Sequence, residues 1–109
     1  FTRTGGRSFL TVLKRFGPAN EAPLSFPLAG WTLTVDVPVG DPDLPRLLDR
    51  FDEQVAEVGG RIYLAKDARM RPELLAAMYP RLAEWQEVRA SVDPHGLIRS
   101  DLSERLGLS

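Results

Sequence analysis

Between Trp31 and Gly60 the apolar period of the chain changes from two to about 3.6, and that switch constrains the fold more than any other feature. From Trp31 to Val37 the alternation is strict: Trp31, Leu33, Val35 and Val37 fall on one face, Thr32, Thr34 and Asp36 on the other. This predicts a half-buried strand closed by Pro38. Leu44, Leu47, Leu48, Phe51, Val55 and Val58 then recur at steps of three and four, predicting a helix that Asp41-Pro42 or Asp43 opens and Gly59-Gly60 stops. Arg61-Ile62-Tyr63-Leu64 reads as a short strand. Residues 31–65 are therefore expected to form a β-α-β unit with parallel strands and a right-handed crossover.

Upstream, Phe9 to Phe16 is rich in β-branched and aromatic residues and reads as another strand. Its connection to Trp31 carries Gly17, Pro18, Pro23, Pro27 and Gly30 and is long for a hairpin, and long ordered loops are more often functional than decorative. Downstream, Pro72 suits a helix start with Leu74, Leu75 and Met78 as its apolar side. Pro80 opens a second helix carrying Leu82, Trp85, Val88 and Val92, which Asp93-Pro94 ends. Asp101 with Glu104 resembles the capping box of a last short helix ending near Gly107. The expected fold class is α+β: a small sheet with strands near 8–16, 31–37 and 61–65, flanked by helices near 43–58, 72–79, 81–92 and 101–106.

Composition narrows the function. The 109 residues suit one small domain, and 14 Lys+Arg against 15 Asp+Glu with no basic stretch argue against a nucleic-acid partner. With no cysteine and one histidine, neither a disulfide framework nor a thiolate or histidine metal site can be built, so no metal is expected. No run approaches the roughly 18 apolar residues of a membrane span. Phe1 to Gly6 has no apolar stretch after a basic start, so no targeting signal is read there. The chain opens on Phe1 rather than Met, and a piece of something longer is expected. Residues 41–58 gather six acids against Arg46 and Arg50, which reads as a solvated helix face.

The chemical inventory is thin. His95, in a turn between Pro94 and Gly96, would need a partner and a pocket to act as a base. No serine lies in a Gly-x-Ser-x-Gly elbow, and Gly5-Gly6 and Gly59-Gly60 lack the spacing that cradles phosphate. Asp93 and Asp101 are accounted for as turn and cap residues. Lys14 and Lys66 are the only lysines beside twelve arginines, each in or just after an apolar strand. Their ordinary reading is a snorkelling edge residue; the functional one is a compact positive charge held beside an anion in a partly dry site. Tyr63, close to Lys66, could stack on a ring or donate its hydroxyl.

The runs SFLTVLKRFGPANEAPLSFPLAGW, GGRIYLAKDARM and MYPRLAEWQEVRASVDPHGLIRSDL resemble the C-terminal end of the FAD-linked oxidases of the vanillyl-alcohol-oxidase class. Within that class they look most like the decaprenylphosphoryl-β-D-ribose 2-oxidase group of mycobacteria and related actinobacteria. The likeness runs from about Ser8 to Leu108, and the phrases Lys-Arg-Phe-Gly-Pro, Ala-Pro-Leu-Ser-Phe-Pro and Tyr-Leu-Ala-Lys-Asp are specific to it. It implies a flavoprotein in which FAD takes a hydride at the ribose 2-hydroxyl of a polyprenyl-phosphate sugar, after which a partner reductase makes the arabinose epimer for cell-wall arabinan. By the same resemblance Lys66 is the active-site lysine, whose charge would favour the anionic reduced flavin or polarise the substrate hydroxyl. Tyr63, Ala65 and Lys66 would contact the cofactor, and Lys14, Phe16, Thr32 and Thr34 the substrate.

Where that group carries Trp-Asn-x-Cys-Val-Asp, this chain has Trp31-Thr32-Leu33-Thr34-Val35-Asp36, which removes a two-ended hydrogen-bonding amide at Thr32 and bears on the sugar accepted. The resemblance divides the chain into 1–60, a C-terminal portion of a substrate-binding domain, and 61–109, a segment that completes an FAD-binding domain. The N-terminal FAD domain is expected to lie outside this sequence. On its own the chain is then expected to bind no FAD, to be inactive, and to self-associate through an unpaired sheet edge and apolar helix positions such as Leu82, Trp85 and Val88. The expected location is cytoplasmic or peripheral, at the inner face of the membrane or in the periplasm. The alternative from another class is a stand-alone, non-catalytic α+β binding or assembly module.

Overall fold

A computed structural model describes residues 8–108; the Phe1–Gly6 segment and its Gly5-Gly6 pair lie outside the described residues. Two strands, β1 (Leu10–Phe16) and β2 (Gly30–Asp36), pair antiparallel, and four helices follow: α1 (Leu44–Glu57), α2 (Leu75–Met78), α3 (Leu82–Val92) and α4 (Asp101–Arg105). Short 3-10 turns at Leu64–Lys66 and Pro72–Leu74 precede α2. The class is α+β, as the periodicity indicates.

The β-α-β expectation fails at its third element. Residues 61–63 form no regular element, Tyr63 is extended, and Leu64–Lys66 closes into a 3-10 turn through Lys66 N–H to Tyr63 C=O (3.1 Å) and Asp67 N–H to Leu64 C=O (3.2 Å). Alternation survives there, with Ile62 and Leu64 packed against the core and Tyr63 outward. A strand also needs a ladder partner, and the backbone groups here go elsewhere: the Ile62 carbonyl accepts from the Tyr79 hydroxyl at 2.7 Å. The sheet among the described residues is the β1–β2 pair alone, so there is no parallel pairing and no crossover.

Helix α1 ends as its sequence indicates. Gly59 adopts φ +71° and donates to Ala56 C=O at 3.0 Å, and Gly60 donates to Val55 C=O at 2.8 Å. That is the double closure of a Schellman motif. A Cβ on Gly60 would lie 2.9 Å from the Val55 carbonyl oxygen, so the second glycine is required by close approach. At the other end the Asp41 carboxylate accepts from Asp43 N–H (2.9 Å). The last helix is capped one residue earlier than the Asp101–Glu104 reading: the Ser100 hydroxyl accepts from Ser103 N–H (3.1 Å) and the Ser103 hydroxyl from Ser100 N–H (2.8 Å). Two hydroxyls do the work of the usual hydroxyl-carboxylate pair.

The buried core is Met70, Leu75, Met78, Tyr79, Leu106 and Leu108, with Val55 and Ala56 of α1, Leu24, Leu82 and Trp85 packed against it. Neither strand contributes to it. The acids of α1 are only partly a solvated face. Asp49 and Asp52 accept from Arg69 at 2.6 and 2.8 Å, and Glu53 pairs with Arg71, so the helix clamps the segment leading into α2.

The apolar face of the hairpin is open to solvent. Leu13, Trp31 and Leu33 are 61%, 68% and 61% exposed, whereas Thr32 and Thr34 on the opposite face are half-buried. The strand is half-buried as expected, but on its polar side, because no layer of the described chain covers Trp31 and Leu33. The radius of gyration, 15.6 Å, exceeds the roughly 13 Å of a compact chain this long, in keeping with extents of 48 × 32 × 22 Å. Helix α3 behaves similarly: Leu82 and Trp85 reach the core while Val88 and Val92 remain exposed.

Candidate functional site

The β1–β2 register sets one group of side chains. Lys14 lies opposite Thr32, Phe16 opposite Gly30 and Val12 opposite Thr34, so Lys14, Phe16, Thr32 and Thr34 share a face. Directly opposed residues stand about 5 Å apart at Cβ and the diagonal Lys14–Thr34 neighbours somewhat farther. Two half-buried threonines, the exposed Lys14 and the half-buried Phe16 thus lie along one face of the hairpin.

A second group lies on the turn after α1. Tyr63 caps the 3-10 turn Leu64–Lys66, which carries Ala65 and Lys66. Lys66 is exposed, and neither Lys66 nor Lys14 has an ion-pair partner among the described residues. The next residue is firmly held. Asp67 Oδ1 accepts from Arg69 N–H (3.1 Å) and Met70 N–H (2.9 Å), and Oδ2 from the Arg105 guanidinium at 2.8 Å. Burial alone would raise this carboxyl, but the two backbone donors and Arg105 outweigh it and hold Asp67 below the usual carboxylate range.

Phe26 connects the two groups. Its ring meets Phe16 edge-on at 5.7 Å between centroids and Tyr63 at 5.0 Å with a 45° tilt. Phe26, Tyr63 and Ala65 also line a cleft of about 680 Å³ whose floor includes Tyr79 and Trp85. Ser25 lines it as well, buried, and its hydroxyl has no hydrogen-bond partner among the described residues. Beneath the cleft Tyr79 is fully buried, and burial pushes its hydroxyl up to about 12 against the opposing pull of Arg61, whose guanidinium lies 5.3 Å from the ring centroid. Among the described residues no cluster of three or more His, Cys, Asp or Glu side chains is placed to hold a metal ion.

A family model for D-arabinono-1,4-lactone oxidase matches residues 15–106, nearly the whole described chain. The chain belongs to the D-arabinono-1,4-lactone oxidase family. Among its relatives is the decaprenylphosphoryl-beta-D-ribose oxidase of Mycolicibacterium smegmatis, 50% identical over 97% of this chain and 23% of that protein. An uncharacterised protein of Streptomyces coelicolor is 53% identical over 89% of this chain and 26% of its own length. The chain therefore spans about a quarter of the curated relatives it matches. The family model and the mycobacterial oxidase agree with the resemblance to FAD-linked oxidases carried by the Lys-Arg-Phe-Gly-Pro and Tyr-Leu-Ala-Lys-Asp phrases.

As a D-arabinono-1,4-lactone oxidase family chain, it holds its candidate residues in two clusters, one on the hairpin and one on the turn, joined by a ring that pattern reading passed over. Phe26 gave two indirect signals, its place in the Ala-Pro-Leu-Ser-Phe-Pro phrase and the length and proline content of the Gly17–Gly30 connection. Asp67 was legible in principle, since an aspartate two and three residues before free N–H groups is an Asx-turn signature. His95 is exposed in its turn. Asp93 is a turn residue as expected, its carboxylate accepting from Leu97 and Ile98 N–H at 2.8 and 2.9 Å. No helix among the described residues is long and apolar enough to cross a membrane.

Proposed function

We propose that the full-length protein containing this chain is an FAD-dependent oxidoreductase that oxidises a sugar secondary alcohol, the ribose 2-hydroxyl of a polyprenyl-phosphate sugar, by hydride transfer to the flavin. The observation that carries this reading is the 50% identity over 97% of the chain to a decaprenylphosphoryl-beta-D-ribose oxidase. Residues 1–60 would belong to the substrate-binding domain and 61–109 to the FAD-binding domain.

The residues present fit a flavin. Tyr63 and Ala65 border a cleft also lined by Phe26, Tyr79 and Trp85, whose aromatic surface suits a flat ring system, and Lys66 stands on the same turn with no counter-ion among the described residues. The chemistry FAD supplies when bound is two-electron acceptance, so that an alcohol losing a hydride and a proton becomes a ketone. Lys66 contributes a positive charge where negative charge develops, which is worth most in a site that excludes water. Lys14, with Thr32 and Thr34 beside it, would bind the sugar hydroxyls, and Phe16 would pack on the sugar. Neither lysine has to leave an ion pair with another described residue to do so.

The ketone product would pass to a partner reductase, and the lipid-linked substrate favours work at a membrane surface. The open face formed by Leu13, Trp31 and Leu33 is covered in this reading by the rest of the protein, and the chain alone would bind no FAD, be inactive and self-associate through that face.

The test is anaerobic mixing of the purified full-length flavoprotein with polyprenylphosphoryl ribose. Loss of the oxidised-flavin absorbance with formation of the 2-keto sugar is expected. Reduction by D-arabinono-1,4-lactone and not by the lipid-linked sugar would overturn the substrate assignment.

A further inference from the structure

We propose that Phe26 is a positioning residue that sets the orientation of Tyr63, and through it the turn carrying Lys66, against the sugar-facing side of the hairpin; this rests on the function proposed above. Its ring is the contact shared by Phe16 and Tyr63, edge-on to one and tilted on the other. Paired aromatic rings hold preferred angles beyond what burial alone would give. Tyr63 is 46% exposed, so without Phe26 little else would fix its ring.

Phe26 is itself held from the core. The fully buried Tyr79 carries Arg61 on its face, and Arg61 Nη1 donates to the carbonyl of Ser25, the residue before Phe26. Arg81 donates to the carbonyl of Glu21, and Ser25 N–H to that of Ala22 at 3.0 Å, so the connection is tied at several backbone points. Pro27 follows and restricts Phe26 to extended backbone. The long Gly17–Gly30 connection is therefore a strut. It transmits the position of the core to the Phe26 ring, which lies between the substrate cluster and the cofactor cluster.

The experiment compares Phe26→Leu and Phe26→Tyr in the full-length flavoprotein. Phe26→Leu is expected to retain FAD, to lower kcat for flavin reduction about tenfold with KM nearly unchanged, and to alter the visible absorbance band of the flavin; Phe26→Tyr restores both. Wild-type kcat with an unaltered band in Phe26→Leu would overturn the proposal, as would failure of Phe26→Tyr to rescue. If the wild-type protein is not reduced by any sugar, the functional reading has failed instead. The positioning claim is then decided by the Tyr63 side-chain rotamer in the present chain, read from its Hα–Hβ couplings: altered couplings in Phe26→Leu that Phe26→Tyr returns to wild type uphold it, and unchanged couplings overturn it.

Discussion

Arg105 donates to the Asp67 carboxylate at 2.8 Å and to the Met70 carbonyl at 2.6 Å, tying α4 to the residue that directly follows Lys66. The last helix of the chain thereby braces the turn that carries the proposed catalytic lysine. Because Asp67 is held below its ordinary range, its contribution to stability is fully present above the unfolded value near ~3.9 and is lost as pH falls through the lower folded value. Asp67→Asn is expected to cost about 1–3 kcal/mol at neutral pH in thermal or urea unfolding. The gap to wild type should close as pH falls below about 3.9.

Asp52 predicts the opposite asymmetry. Burial raises its carboxyl despite Arg69 at 2.8 Å, so its favourable contribution exists below the unfolded value and is lost as pH rises through the folded one. Asp52→Asn leaves Arg69 paired with Asp49 and removes a buried charge, and it should stay within about 1 kcal/mol of wild type at neutral pH. Urea midpoints of the two variants, measured side by side, check the ordering.

The open hairpin face makes a prediction about association. Sedimentation of the present chain at high micromolar concentration should show self-association, and Trp31→Lys with Leu33→Lys should yield a monomer with its helical circular dichroism intact. Both residues lie outside the buried core, so loss of the fold in this variant would contradict the account.

Thr32 stands opposite Lys14, where an amide would offer both a donor and an acceptor. Thr32→Asn in the full-length enzyme is expected to change the ratio of kcat/KM between epimeric 2-hydroxy sugars by about tenfold, a polar-contact effect on discrimination. Parallel steady-state assays on the two epimers read it directly.

Helix α1 was legible because its apolar stripe and its Gly59-Gly60 stop agree, a local signal that tertiary context had no reason to override. The same holds for the face shared by Lys14, Thr32 and Thr34, which follows from strand alternation once the pairing is known. Residues 61–65 misled because alternation reports burial and not pairing: Ile62 and Leu64 are half-buried against the core, with no strand beside them. Trp31 and Leu33 misled in the opposite sense, since an apolar face says that a cover is needed and not that this chain provides one. Phe26 was illegible because its role depends on ring contacts between residues ten and thirty-seven positions away, Phe16 and Tyr63.

The central claim is that Lys66 supplies the charge on which oxidation depends. It is tested by stopped-flow anaerobic reduction of full-length wild type and Lys66→Ala by the same polyprenylphosphoryl ribose. The account predicts that Lys66→Ala retains its FAD and its thermal stability but is reduced at least about 100-fold more slowly. Reduction of the variant at close to the wild-type rate would contradict it.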